Sequence, residues 1–116
     1  MAYDDNNVFA KILRGQIPSK KVYEDDHALA FHDIHPAKPV HVLVIPERHV
    51  DSMAGVEGLT AEERSDMLAF IAAVAREHGL EPTGYRVTTN HGPDALQSVF
   101  HLHWHVMGGP RPWLRG

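Results

Sequence analysis

No cysteine occurs among the 116 residues, which removes disulfides, thiol nucleophiles and thiolate-bound zinc from the chemistry open to this chain. Positive charge is scarce as well: 11 Lys and Arg face 15 Asp and Glu, a formal net charge of −4. A protein that grips a nucleic-acid backbone concentrates basic residues, so nucleic acid is not an expected partner; a small basic pocket for one nucleotide stays compatible. No apolar run approaches the roughly 20 residues of a membrane-spanning helix. The opening residues, Met1-Ala2-Tyr3-Asp4-Asp5, lack the basic segment and apolar run of a signal peptide. A soluble, cytoplasmic protein with no membrane partner is the expectation. What the chain has in plenty is histidine, ten in all.

The length suits one domain over residues 1–116, large enough to bury a core without staples. Its 43% hydrophobic and 22% charged content is ordinary for a globular protein. Val8, Phe9, Ile12 and Leu13 fall at helical spacing and predict a short helix from about Asn6 to Arg14, stopped by Gly15. Lys21–Glu24 and Ala28–Phe31, around Asp25-Asp26, predict a hairpin. His41–Ile45 reads as a strand buried on both faces. Thr60 and Glu63 form a capping-box pair ahead of a long helix. Met67, Leu68, Ile71, Val74 and Ala75 would form its apolar stripe, and Gly79 its stop. Tyr85 to Asn90 and roughly Ser98 to Met107 complete five strands. Strands in runs with helices at two places predict an α+β fold with a mostly antiparallel sheet.

The segment Val99-Phe100-His101-Leu102-His103-Trp104-His105-Val106-Met107 concentrates the chemistry. On a strand, Phe100, Leu102, Trp104 and Val106 would share one face and His101, His103 and His105 the other. The outer imidazoles would then attach roughly 13 Å apart, in a row. Three histidines alternating on so apolar a strand are more than a solvated face. Two uses remain level on spacing alone. Two of them, with a third ligand such as His41, reach one zinc. Alternatively, one neutral imidazole attacks phosphorus while its neighbours hold the phosphoryl oxygens and supply protons.

The stretch Gln97-Ser98 through His101-Leu102-His103-Trp104-His105 to Gly108-Gly109 resembles the signature of the histidine triad (HIT) family, its Hint branch in particular. Val8–Ile12, Ile17-Pro18, Glu24–Asp26, Ala30–Ile34 and His41–Pro46 also resemble Hint segments, in the same order. The resemblance covers nearly the whole chain. It implies the HIT fold and favours the phosphoryl reading: hydrolysis of purine nucleoside 5′-phosphoramidates to a nucleoside monophosphate and an amine. His103 matches the histidine that attacks the α-phosphorus and carries the nucleotidyl intermediate. His105 matches the one that bonds the phosphoryl and leaving-group region. His101 and His41 match the pair that supports the nucleophile, Ser98 the serine that assists the leaving group, and Asn90 an asparagine on the phosphate. Asp33 matches the carboxylate for the ribose hydroxyls, and Phe9, Phe31 and Ile34 the purine slot. A homodimer is implied, with Trp113 of the C-terminal segment shaping selectivity at the partner's site. No cofactor is implied.

This chain departs from the pattern at Ala95-Leu96, where the family often has two glycines, and at His91, where an acidic residue is common. Leu96 keeps open a nucleotide-binding regulatory protein with little turnover. The surplus imidazole keeps open adventitious zinc on His101, His103 and either His41 or His91. A dinucleoside polyphosphate hydrolase of the Fhit type would use the same nucleophile with a phosphate leaving group. His27, His32, His35, His49 and His78 are expected at the surface or in local structure, and Met53, Met67, Met107 and Trp104 in packing.

Overall fold

A computed structural model describes residues 3–110 and Trp113. Asn7 caps the first helix, α1 (Val8–Leu13), by accepting the Ala10 N–H, so the helix is shorter than the Asn6–Arg14 that periodicity predicts. The hairpin forms as expected from β1 (Lys21–Glu24) and β2 (Ala28–His32), and β3 is Val40–Pro46. A 3₁₀ turn at Met53–Gly58 precedes α2 (Ala61–Glu77). The Thr60–Glu63 capping box is complete, with both reciprocal bonds present. Beyond α2, Gly79 takes a left-handed φ of +67°, a conformation glycine adopts without steric cost. Then come β4 (Tyr85–Thr88), a 3₁₀ turn at Pro93–Ala95 and β5 (Trp104–Gly108).

The five strands run in the order β1-β2-β3-β5-β4, every pair antiparallel. Strand alternation on β3 gives each face its own apolar cluster. Val42 and Val44 join Ala28, Ala30 and Val106 beneath α2, against Met67, Phe70, Ile71, Val74 and Ala75. Leu43 and Ile45 join Leu29, Phe31, Phe9 and Ile12 beneath α1. On α2, Leu68 is exposed and Phe70 takes the place expected for it. Met53 is also exposed, whereas Met67 is buried and Trp104 packs on the α2 side.

β5 is half the length predicted from Ser98 to Met107, and β4 stops at Thr88, short of Asn90. Residues 101–103 make other hydrogen bonds instead of extending the β5–β3 ladder. The Leu102 N–H donates to Val50 O (2.7 Å), the Thr89 hydroxyl donates to His103 O (2.6 Å), and the His101 ring takes Pro46 O. These bonds satisfy the same backbone groups that a longer strand would pair. Among the described residues no helix is long and apolar enough to cross a membrane.

Candidate active site

The α1 face of the sheet carries a cavity of about 330 Å³. Phe9, Ile12, Ile17, Phe31 and Leu43 make it an apolar slot, and His103, His105, Ser98 and Asp33 line it as polar groups. Phe9 is T-stacked on Phe31 and on the His103 ring, with centroids 5.6 and 4.9 Å apart. Ile34 also lines the slot but is 79% exposed, so it covers the opening rather than forming the floor.

The three histidines do not form the predicted row. Only His105 lies on β5, and its ring is 5.1 Å from that of His103. His101 is fully buried, turned away from the cavity lining, and Phe100 is exposed instead of packed. Each ring's tautomer follows from what its partners can do. The carbonyl of His101 only accepts, so His103 donates to it through Nδ1–H (2.7 Å) and keeps a lone pair on Nε2. The amide of Ala37 only donates, so His41 accepts through Nδ1 (2.9 Å) and carries its proton on Nε2. That proton goes to His105 Nδ1 (2.8 Å), which leaves His105 with Nε2–H. A nitrogen lone pair and an N–H donor therefore sit on neighbouring rings at one cavity. His41 and His105 meet because they are diagonal neighbours across the β3–β5 pair, where His41 opposes Met107 and Leu43 opposes His105.

Burial keeps these rings neutral. It pushes the His101 and His105 pKa values down to about 4, helped at His105 by the neighbouring His103 and His41. Burial also lowers His103 and His41, against the opposing pull of the Asp33 carboxylate. Asp33 sits 3.5 Å from His41 Nε2, and its other oxygen accepts the His35 N–H.

Several expected site residues lie elsewhere. His41 contacts His105, not His103, and the support His101 gives His103 comes from its backbone carbonyl. Asn90 is not at the cavity; its side chain donates to Ala95 O (2.6 Å) and braces the turn before Leu96. Trp113 lies across Arg86, 4.4 Å from the ring centroid, lining a separate hollow with Tyr85 and Leu80. His91 bonds Ser52 (2.7 Å). Among the described residues, the group with ligand atoms close enough for a metal is Asp33, His41 and His105. That is not the expected set of His101, His103 and His41 or His91, because the His101 ring faces into the protein and His91 is tied to Ser52.

Other contributors had been given no site role. His35, Val8, Pro18 and Ser19 line the cavity, and the Ser19 hydroxyl is buried without a hydrogen-bond partner. Gln97 clips the preceding loop together, accepting Gly92 N–H and donating to Asp51 O and Val99 O; this gives the Gln-Ser pair a structural task that spacing alone did not disclose. Leu96 adopts φ +61° and is the one non-glycine with positive φ among the described residues.

A family model described as the HIT domain matches residues 14–111. An uncharacterized 13.2 kDa HIT-like protein of Azospirillum brasilense is 51% identical over 110 residues, 94% of this chain and 90% of that protein. The solved HIT family hydrolase from Clostridium thermocellum is 41% identical, with a TM-score of 0.86 over 92% of this chain and 93% of the other. A histidine triad nucleotide-binding protein from Candida albicans is 32% identical, with a TM-score of 0.79 over 86% and 72% of the two chains. With its five-stranded antiparallel sheet and with His103 and His105 lining one apolar slot, the chain belongs to the HIT family.

Proposed function

We propose that this chain, as one HIT domain over residues 1–116, is a Hint-type nucleotide phosphoramidase that cleaves purine nucleoside 5′-phosphoramidates. The observation that carries the reading is the His103 ring: its Nδ1–H is committed to the His101 carbonyl, so a neutral Nε2 lone pair meets a cavity with an apolar slot. The purine fills the slot between Phe9, Phe31 and Ile34, and Asp33 accepts from the ribose hydroxyls. His103 Nε2 attacks the α-phosphorus and the P–N bond breaks, leaving a nucleotidyl-His103 intermediate. His105 Nε2–H bonds the phosphoryl oxygens, and the departing amine takes its proton from the Ser98 hydroxyl. Water then attacks phosphorus, the P–Nε2 bond breaks, and the proton lost by the water restores the donor. The sum is phosphoramidate plus water giving nucleoside monophosphate plus amine.

The reading requires no metal. Two nitrogens bound to one tetrahedral zinc at 2.0–2.1 Å stand about 3.3 Å apart, whereas His41 Nε2 and His105 Nδ1 are 2.8 Å apart, the spacing of a shared proton. Zinc on Asp33, His41 and His105 would have to displace that proton and spread the pair. In the same reading the chain is a cytoplasmic homodimer joined along β4, which presents an outer edge; a backbone edge of this kind pairs readily with a second copy. Trp113 beside β4 would then reach toward the partner's cavity.

The experiment is release of adenosine monophosphate from adenosine 5′-phosphoramidate, with and without EDTA, by the wild type and by His103→Asn. Turnover is expected to survive EDTA and to fall at least about a thousandfold in the variant. A well-folded wild type that binds the nucleotide without turning over would instead support a binding protein. The strained backbone at Leu96 is the observation favouring that second reading.

A further inference from the structure

The buried ring of His101 ends a hydrogen-bond chain that starts in the N-terminal segment, and every direction in that chain is forced. Pro46 O can only accept, so His101 donates to it through Nε2–H (2.9 Å). In the neutral ring that full burial enforces, His101 Nδ1 then accepts, and its partner is the Tyr3 hydroxyl at 2.5 Å. That hydroxyl has spent its one proton, so it accepts from Asn7 Nδ2 (2.8 Å). The Asn7 side-chain oxygen meanwhile caps α1 through the Ala10 N–H. The Tyr3 ring stacks on His49, with centroids 4.7 Å apart. Tyr3 thus ties α1, whose Phe9 packs on the His103 ring, to the residue whose carbonyl holds His103 Nδ1–H.

We propose that Tyr3 is a positioning residue for His103, acting through His101. Its hydroxyl locks the His101 ring as the Nε2–H tautomer on Pro46 O and so fixes the carbonyl that orients His103. Without the hydroxyl, the buried Nδ1 of His101 has no donor. The ring then relieves itself by changing tautomer or turning, which places a lone pair against Pro46 O and frees the peptide at 101. His103 loses its fixed acceptor, and Nε2 is no longer held unprotonated toward the cavity. Tyr3 does not line the cavity, so substrate affinity does not depend on it. The inference rests on the reading of His103 as the reacting imidazole.

The test compares wild type, Tyr3→Phe and Tyr3→Leu. Phe keeps the ring on His49 and removes only the hydroxyl; Leu removes both. With adenosine 5′-phosphoramidate, both variants are expected to lose about tenfold to a hundredfold in kcat, the usual cost of removing a group that orients a reacting side chain. KM should stay within about twofold. Long-range ¹⁵N–¹H spectra of the free protein should show His103 protonated on Nδ1 in the wild type and a mixture of tautomers in Tyr3→Phe. A Phe variant with wild-type kcat and an unchanged His103 tautomer overturns the proposal, even if Leu is impaired, because packing alone would explain that pattern. A wild type with no turnover would overturn the phosphoramidase reading, while the spectra, which need no substrate, would still decide the role of Tyr3.

Discussion

A histidine presents a lone pair or an N–H to the cavity here according to what its other nitrogen is bonded to. His103 and His105 are two residues apart and both held neutral, yet one faces the cavity with a lone pair and the other with a proton, because a carbonyl anchors the first and a second imidazole the second. No reading of residue types discloses that difference; it is set by Ala37 N–H and His101 O, backbone groups of two loops. The family resemblance pointed to Phe9, Phe31, Asp33, Ser98, His103 and His105, and the fold brings these six to one cavity. Asn90 does not line that cavity; its amide donates to Ala95 O. Leu96 is a departure visible in the sequence whose cost becomes visible only in the backbone. A left-handed conformation costs a side chain about 1–2 kcal/mol, partly offset against glycine by that residue's greater unfolded entropy. Leu96→Gly is therefore expected to stabilise the fold by about 0.5–1 kcal/mol, read as a higher urea midpoint at unchanged slope. A lower midpoint would mean that the leucine side chain, 84% exposed here, makes contacts of its own.

At the scale of elements, the capping box at Thr60 and the stop at Gly79 located α2 from sequence because both signals are local hydrogen-bond chemistry. β5 was misjudged because alternation marks which residues are extended and apolar, not which find a strand partner. Residues 98–103 keep the apolar content of a strand, but their polar groups are claimed by Pro46, Val50 and Thr89. Leaving the ladder is what lets the His101 ring turn into the protein. The other consequence at this scale concerns β4, a four-residue edge next to β5. If two copies pair along it, sedimentation equilibrium at micromolar concentration returns twice the 13.0 kDa chain mass. A single-chain mass would separate Trp113 from any substrate, since within one chain it lies against Arg86 and away from the cavity.

Across the whole molecule, neutral buried imidazoles tie the fold to pH. His101 and His105 titrate near 4 when folded, against about 6.5 when unfolded. Between those values the unfolded chain binds more protons, so stability is complete above about pH 6.5 and drains away as the pH falls toward 4. His101, with no exposed surface, accounts for about 3 kcal/mol of that loss by its shift alone. Urea midpoints measured from pH 7 to pH 4 should fall steadily, and His101→Gln should flatten the profile. A wild-type midpoint constant across that range would contradict neutral burial. The layered architecture itself was legible, since β3 reads as continuously apolar and must be covered on both sides.

That coverage has a consequence for any preparation of this protein. β3 sends Val42 and Val44 under α2, and His41, Leu43 and Ile45 to the opposite face. A slip of one residue in its pairing would exchange the two sets, burying an imidazole beneath the helix and cutting the link to His105. A one-residue slip therefore cannot leave the helix well packed with the site miswired. Against such a slip, the register that covers the apolar face of β3 and the register that joins His41 to His105 are one and the same.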